Sequence, residues 1–317
     1  MTITSKLFIL FIATVGILFG QVDSTGIKLL NQRKLSDAQS YFESRIKKDK
    51  KDSEAHYYLA VSLSRQGKFD DAEDEIDEAI DLNENISKYH LVRGQILGQK
   101  AMTANVISQG FLAPRIKNAF LRASELDPSN IEARQALFNY YIMAPGIMGG
   151  SEEKALAQVN AIVKLNPYYG YTLFATFHAR VKKDTVEAEN QIKKAIAVKP
   201  DSGDGYKRLG YLYLSQKRFT DAYYQMKKYI DLEPTNPDSY DSYADVLKAD
   251  EKYDLAIEKY LQALSINKNF SASIFSLADC YDAKGLKQKA KETYQWFLTV
   301  EPQGRRAESA QKKIKEL

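Results

Sequence analysis

From about residue 22 onward, apolar side chains recur at steps of three and four residues, the spacing that gathers one face of an α-helix. Leu209 and Tyr213 show it on one segment, Ala222 and Met226 on the next. Short polar turns such as Gln66-Gly67-Lys68 and Lys284-Gly285-Leu286 cut the segments apart. Pro128, Pro167, Pro200, Pro234 and Pro302 bias the residue before each of them away from helix, so each marks a stop. The pattern predicts an all-α chain of short helices joined by tight turns. Sparse breakers, 16 Gly and 8 Pro, agree with it.

A longer period lies over the short one. Ala188, Ala222, Ala256 and Ala290 are each 34 residues apart, and Ala38 and Ala72 keep the same interval. Their surroundings repeat too. Tyr206, Leu209, Gly210 and Tyr213 precede Ala222, Met226 and Pro234, whereas Tyr240, Tyr243, Ala244 and Leu247 precede Ala256, Tyr260 and Ala263. A further unit has Ile274, Leu277, Ala278 and Tyr281, then Ala290, Tyr294, Phe297 and Pro302. Gly210, Ala244 and Ala278 fall where a first helix meets a second, and a larger side chain there would force the pair apart at roughly 1–3 kcal/mol. Each apolar stripe is wider than one hairpin can cover, so the next unit must cover it.

This arrangement resembles the tetratricopeptide repeat: a bulky residue, Leu, a small residue and an aromatic on a first helix, then Ala, an aromatic and Pro on a second. The resemblance covers nearly all of the chain after its first 20 residues. It implies a right-handed superhelical solenoid of about eight helix-turn-helix hairpins, with units starting near residues 22, 53, 87, 131, 170, 203, 237 and 271. The array would span 21–304, and 305–317 would form a C-terminal capping helix through Ala307, Ala310 and Ile314.

Two units depart from the pattern. About ten extra residues around Ala101 to Gly110 predict a hairpin with extended helices. The loop at 144–151, with Pro145, Gly146, Gly149 and Gly150, is irregular; Ser151 reads as an N-cap followed by Glu152 and Glu153, acids that complement the helix dipole.

Charge and rare residues narrow the function. The formal net charge of +4 is mixed along the chain, so nucleic acid is not an expected partner. Lys47, Lys48, Lys50 and Lys51, and the acids from Asp70 to Glu78, read as solvated helix faces. Cys280 is the only cysteine, which excludes an intramolecular disulfide, and His56, His90 and His178 lie on separate repeats, without zinc-site spacing. Neither a cofactor nor a metal is expected. No nucleophile elbow or phosphate loop is present, so enzyme activity is not expected either.

Residues 1–20 place Lys6 before an apolar stretch from Leu7 to Phe19, with Gly20 at its exit, the layout of a signal peptide. The stretch is short for a membrane span, and no membrane span is expected in the mature chain. The repeats are then expected outside the cytoplasm, periplasmic or extracellular; the competing expectation is an uncleaved anchor through residues 7–19.

The resemblance further implies a concave wall built from the first helix of each unit, which receives another protein or peptide. Carried over, that wall holds Tyr57 and Asn139, then Lys207 and Tyr211, then Asp241 and Asp245, then Phe275, Asp279 and Asp282. Its C-terminal half is aromatic and acidic, which suggests a basic or aromatic-rich partner segment and a scaffold or adaptor role. Substituting Asp241, Asp245 and Asp279 by Asn is expected to weaken capture with little loss of stability. Chaperone-binding members hold a carboxylate with Lys and Asn side chains; here Lys207 is followed by Tyr211, Ser242, Ala272 and Ser276, so that clamp is missing. The alternative is an envelope glycan-binding module or enzyme using the 144–151 loop and the Tyr-rich wall.

Overall fold

The structure, a computed structural model, describes residues 24–317; the expected leader at 1–20 lies outside the described residues. All regular structure among the described residues is helical, and the chain divides into two compact units at Pro128 and Ser129. The first holds three hairpins: α1 (Ser24–Asn31) with α2 (Leu35–Lys48), α3 (Ser53–Arg65) with α4 (Phe69–Leu82), and α5 (Ser87–Thr103) with α6 (Val106–Leu126). The second holds five: α7 (Ile131–Met143) with α8 (Glu152–Leu165), α9 (Pro167–Phe177) with α10 (Thr185–Val198), α11 (Gly203–Ser215) with α12 (Phe219–Leu232), α13 (Pro237–Ala249) with α14 (Tyr253–Ile266), and α15 (Ser271–Ala283) with α16 (Lys287–Val300). A last helix, α17 (Arg305–Glu316), buries Ala307 and Ala310 against the final hairpin. Within each unit every hairpin packs on the next in chain order, the architecture of an α-solenoid.

Small residues set the helix spacing. Ala38, Ala72, Ala188, Ala222, Ala256 and Ala290 are fully buried. A Cβ on Gly210 would come within 2.8 Å of Met226 Cε, so α11 and α12 touch at the position where the sequence calls for a small side chain. Large residues fill the rest: Tyr260, Tyr294 and Phe297 are wholly buried in one cluster shared by α13 to α17. Each contributes on the order of 2–3 kcal/mol by leaving water.

The turn inside the hairpin repeats with the same period. Lys183, Lys217, Glu251 and Gly285 have φ of 56°, 58°, 57° and 71°, and Arg33 and Gly67 have 56° and 78°. In five of these turns two backbone bonds close the first helix, as from Lys217 N to Leu214 O (2.9 Å) and from Arg218 N to Tyr213 O (2.9 Å). That is a Schellman closure, which requires a left-handed residue. The two Gly-containing turns are visible in the sequence; their Lys, Glu and Arg equivalents are not.

Helix starts are capped by side chains. Asp52 accepts from Ala55 N at 3.0 Å, Asn130 from Ala133 N at 2.9 Å and Ser151 from Lys154 N at 3.2 Å. Pro167 does more than end a helix: Asn166 closes α8 and caps α9, and Pro167 is the first residue of α9, where its missing N–H costs nothing.

Candidate partner-binding groove

In the unit from Ser129 onward, the first helices α9, α11, α13 and α15 follow one another at the repeat interval and carry most of the wall positions. A cleft of about 520 Å³ opens between α9, α10 and α11. Thr172, Thr176, Arg180, Lys207, Arg208 and Tyr211 line it, over a floor that includes Ile192 and Leu212. Arg180 reaches its rim because α9 ends in a single π turn, His178–Lys182, closed by left-handed Lys183. Such turns interrupt a helix and re-aim its side chains. Lys207 and Tyr211 belong to the sequence-derived wall; Thr172, Thr176, Arg180 and Arg208 were missed, because no local motif marks a space between two hairpins.

Asp238, Asp245 and Asp279 are answered within the chain. Lys207 Nζ lies 2.9 Å from Asp238 Oδ2, which also accepts from Tyr229 OH at 2.6 Å. Asp245 accepts from Tyr211 OH at 3.1 Å and from Tyr260 OH at 2.7 Å. Asp279 accepts from Tyr294 OH at 2.6 Å and from Lys313 Nζ at 2.9 Å. Burial, with the neighbouring carboxylate adding to it, raises the phenols of Tyr260 and Tyr294 far above their usual range, so both remain donors. Lys248 stands 4.0 Å from Asp245, 3.9 Å from Asp279 and 3.1 Å from Ser276 Oγ.

Asp241 departs most from expectation. It is only 7% exposed and accepts from Ser273 Oγ at 2.5 Å. Burial, then the charge of Asp245, push its carboxyl up to about 7. It is a strut between α13 and α15 rather than an acid offered to a guest. Asp241, Asp245 and Asp279 are all internal acceptors, so substituting them by Asn alters contacts inside the array as well as the charge of the wall.

The other wall residues take different places. Phe275 is half-buried, edge-on to Tyr294 and Phe297 with ring centroids at 5.6 and 5.2 Å. Asp282 is half-buried on α15, and Asn139 is exposed on α7. Tyr57 belongs to the first unit, where it stacks on Tyr89 at 5.1 Å with Lys88 Nζ 4.8 Å above its ring.

The 144–151 loop spends its polar groups on itself. Tyr140 OH donates to Met148 O, Gly150 N to Pro145 O (3.1 Å) and Ser151 N to Tyr141 O (3.0 Å). A Cβ on Gly150 would lie 1.8 Å from Ala144 O, so close backbone approach fixes that glycine. Cys280 is buried, which raises its thiol to about 11 and leaves it protonated near neutral pH. His56 is bound to Glu75 at 2.7 Å, and His90 to Glu84 O at 2.7 Å. Among the described residues no cluster of three potential metal ligands occurs, and no helix is long and apolar enough to cross a membrane.

The tetratricopeptide repeat family model matches residues 25–96 and 184–237 of this stack of hairpins. In sequence, the chain is 29% identical over 123 residues to "Uncharacterized protein ycf37" of Cyanophora paradoxa, covering 37% of this chain and 70% of that protein. In structure it is similar to yeast Tom70, with a TM-score of 0.67 at 16% identity over 90% of this chain. The chain spans 58% of the Tom70 chain, and at that identity the likeness is one of fold.

Proposed function

We propose that this chain is a non-catalytic scaffold or adaptor that holds a segment of another protein against its first helices, centred on the α9–α11 cleft, and that it acts outside the cytoplasm. The cleft carries the reading: it is open, apolar at its floor, and edged by Arg180, Lys207, Arg208 and Tyr211. That combination suits a bulky side chain set in the floor with polar groups fixing its register. The partner expected from the sequence, basic or aromatic-rich, narrows to an aromatic or aliphatic anchor, because Asp238, Asp245 and Asp279 already have internal cations or phenols. An acidic residue beside the anchor suits Arg180. The location rests on the leader-like residues 1–20 and is tested by cell fractionation.

Thr176→Trp would cork the cleft from a half-buried position without touching the core, and Tyr211→Ala would remove one wall. Affinity isolation from envelope extract followed by mass spectrometry should show a stoichiometric protein with the wild-type chain and its loss with either variant. Equal capture by all three chains, or retention of glycan alone, would overturn the proposal.

A further inference from the structure

The lengthened third hairpin carries an apolar surface unrelated to the groove. Residues 101–114 contain no charged side chain, in a chain that is 27% charged. Met102, Val106, Ile107 and Phe111 are 84%, 74%, 75% and 74% exposed there. Four large apolar residues so exposed on one hairpin tip form a patch of the kind that marks an interaction site.

The base of this extension is fixed to α4. Glu73 receives Lys100 at 2.5 Å and Arg115 at 2.5 Å, and Lys100 also holds Asp70 at 2.6 Å. Burial alone would raise the Glu73 carboxyl; hydrogen bonds from Lys100 and Arg115 outweigh it and hold the group below its usual value, so the clamp stays ionised. Phe111 and Ile107 precede Arg115 at four-residue steps, hence on the side of α6 that reaches α4.

Beside this overhang α4 presents one sign of charge. It contains eight acids and no base. Four are bound: Asp70, Glu73, Glu75 (to His56) and Asp77, which takes Arg93 at 2.7 Å. The others, Asp71, Asp74, Glu78 and Asp81, are exposed and spaced by three and four residues along one stripe. At 1.5 Å per residue the stripe is about 15 Å long, the length of a short helix. Carboxylates here repel an anionic lipid surface and attract a cationic chain.

We infer that the α5–α6 overhang and the outer stripe of α4 dock a basic amphipathic helix, with its apolar end under Ile107 and Phe111 and its lysines or arginines along Asp71, Asp74, Glu78 and Asp81. Attraction along the stripe sets orientation and on-rate, and the apolar end supplies buried area.

The probe is a fluorescein-labelled peptide of Leu and Lys at helical spacing, its Glu-for-Lys counterpart the control, read by anisotropy with the full chain. The Lys peptide should bind, weaken with added salt, and lose at least tenfold in affinity with Ile107→Ser/Phe111→Ser and with Asp71→Asn/Asp74→Asn/Glu78→Gln. Thr176→Trp should leave it unchanged, which separates this surface from the groove. The substituted residues of the tip and of the stripe are exposed, and circular dichroism checks the fold of every variant. The inference is overturned if the Lys peptide fails to bind or binds all variants alike. It is equally overturned if Phe111 governs sedimentation with phosphatidylcholine–phosphatidylglycerol vesicles, which assigns the tip to lipid, or dimer formation, which assigns it to a second copy.

Discussion

Asp241 shows how much one side chain's surroundings decide. Its ordinary value of 3.8 rises to about 7 in the fold, through burial first and the charges of Asp245 and Asp238 after it, with Ser273 and Lys248 opposing. Below about pH 4 both folded and unfolded chains hold the proton, and between about 4 and 7 only the folded chain keeps it, so stability falls as pH rises through that window. Above it the loss is complete and amounts to roughly a few kcal/mol. Asp241→Asn keeps an acceptor for Ser273 and removes the charge. Its thermal midpoint should exceed the wild type's near pH 8 and match it near pH 4; a lower midpoint near pH 8 would show that the anion is compensated. The wall positions of Asp245 and Asp279 were legible from their 34-residue interval. Their donors were not read, although Tyr260 and Tyr294 repeat at the same interval and carried the signal.

At the scale of the helical element, the turns are the least sequence-evident part of the fold. Lys217 and Glu251 sit at φ of 58° and 57°, where an L side chain crowds the backbone. Lys217→Gly and Glu251→Gly should each stabilise by about 0.5–1 kcal/mol, the left-handed strain relieved exceeding the entropy glycine adds to the unfolded chain. Urea denaturation measures it, and a loss of stability would mean that these side chains contribute more than they strain. Gly67 and Gly285 announced their turns, whereas Lys and Glu in the same role follow from hydrogen bonds that only the folded helix ends reveal. The extension at 101–110 was legible as a length; its clamp through Glu73, Lys100 and Arg115 joins residues up to 42 apart in sequence and was not.

For the molecule as a whole, stability is shared between hairpins rather than owned by them. Phe297 on α16 packs against Phe275 on α15, in a cluster that also takes in Tyr260, Tyr294, Ala307 and Ala310. Phe297→Ala should cost about 3–5 kcal/mol in chemical denaturation. Hydrogen exchange should then quicken in α13 to α17 together; faster exchange confined to α16 would contradict the sharing. The 34-residue period made this stacking legible, because a stripe too wide for one hairpin demands a neighbour. What the period could not show is that acids on the wall find phenols and lysines of adjoining helices, which turns an apparently acidic groove into a neutralised one with an apolar cleft. Photo-crosslinking residues introduced at Thr176, Ser215 and Asp282, on α9, α11 and α15, show whether a partner lies along the first helices, with Tyr224 on α12 as the outer control. One partner protein should crosslink from the three first-helix positions and none from Tyr224; crosslinks from Tyr224 alone would place the partner on the second helices instead.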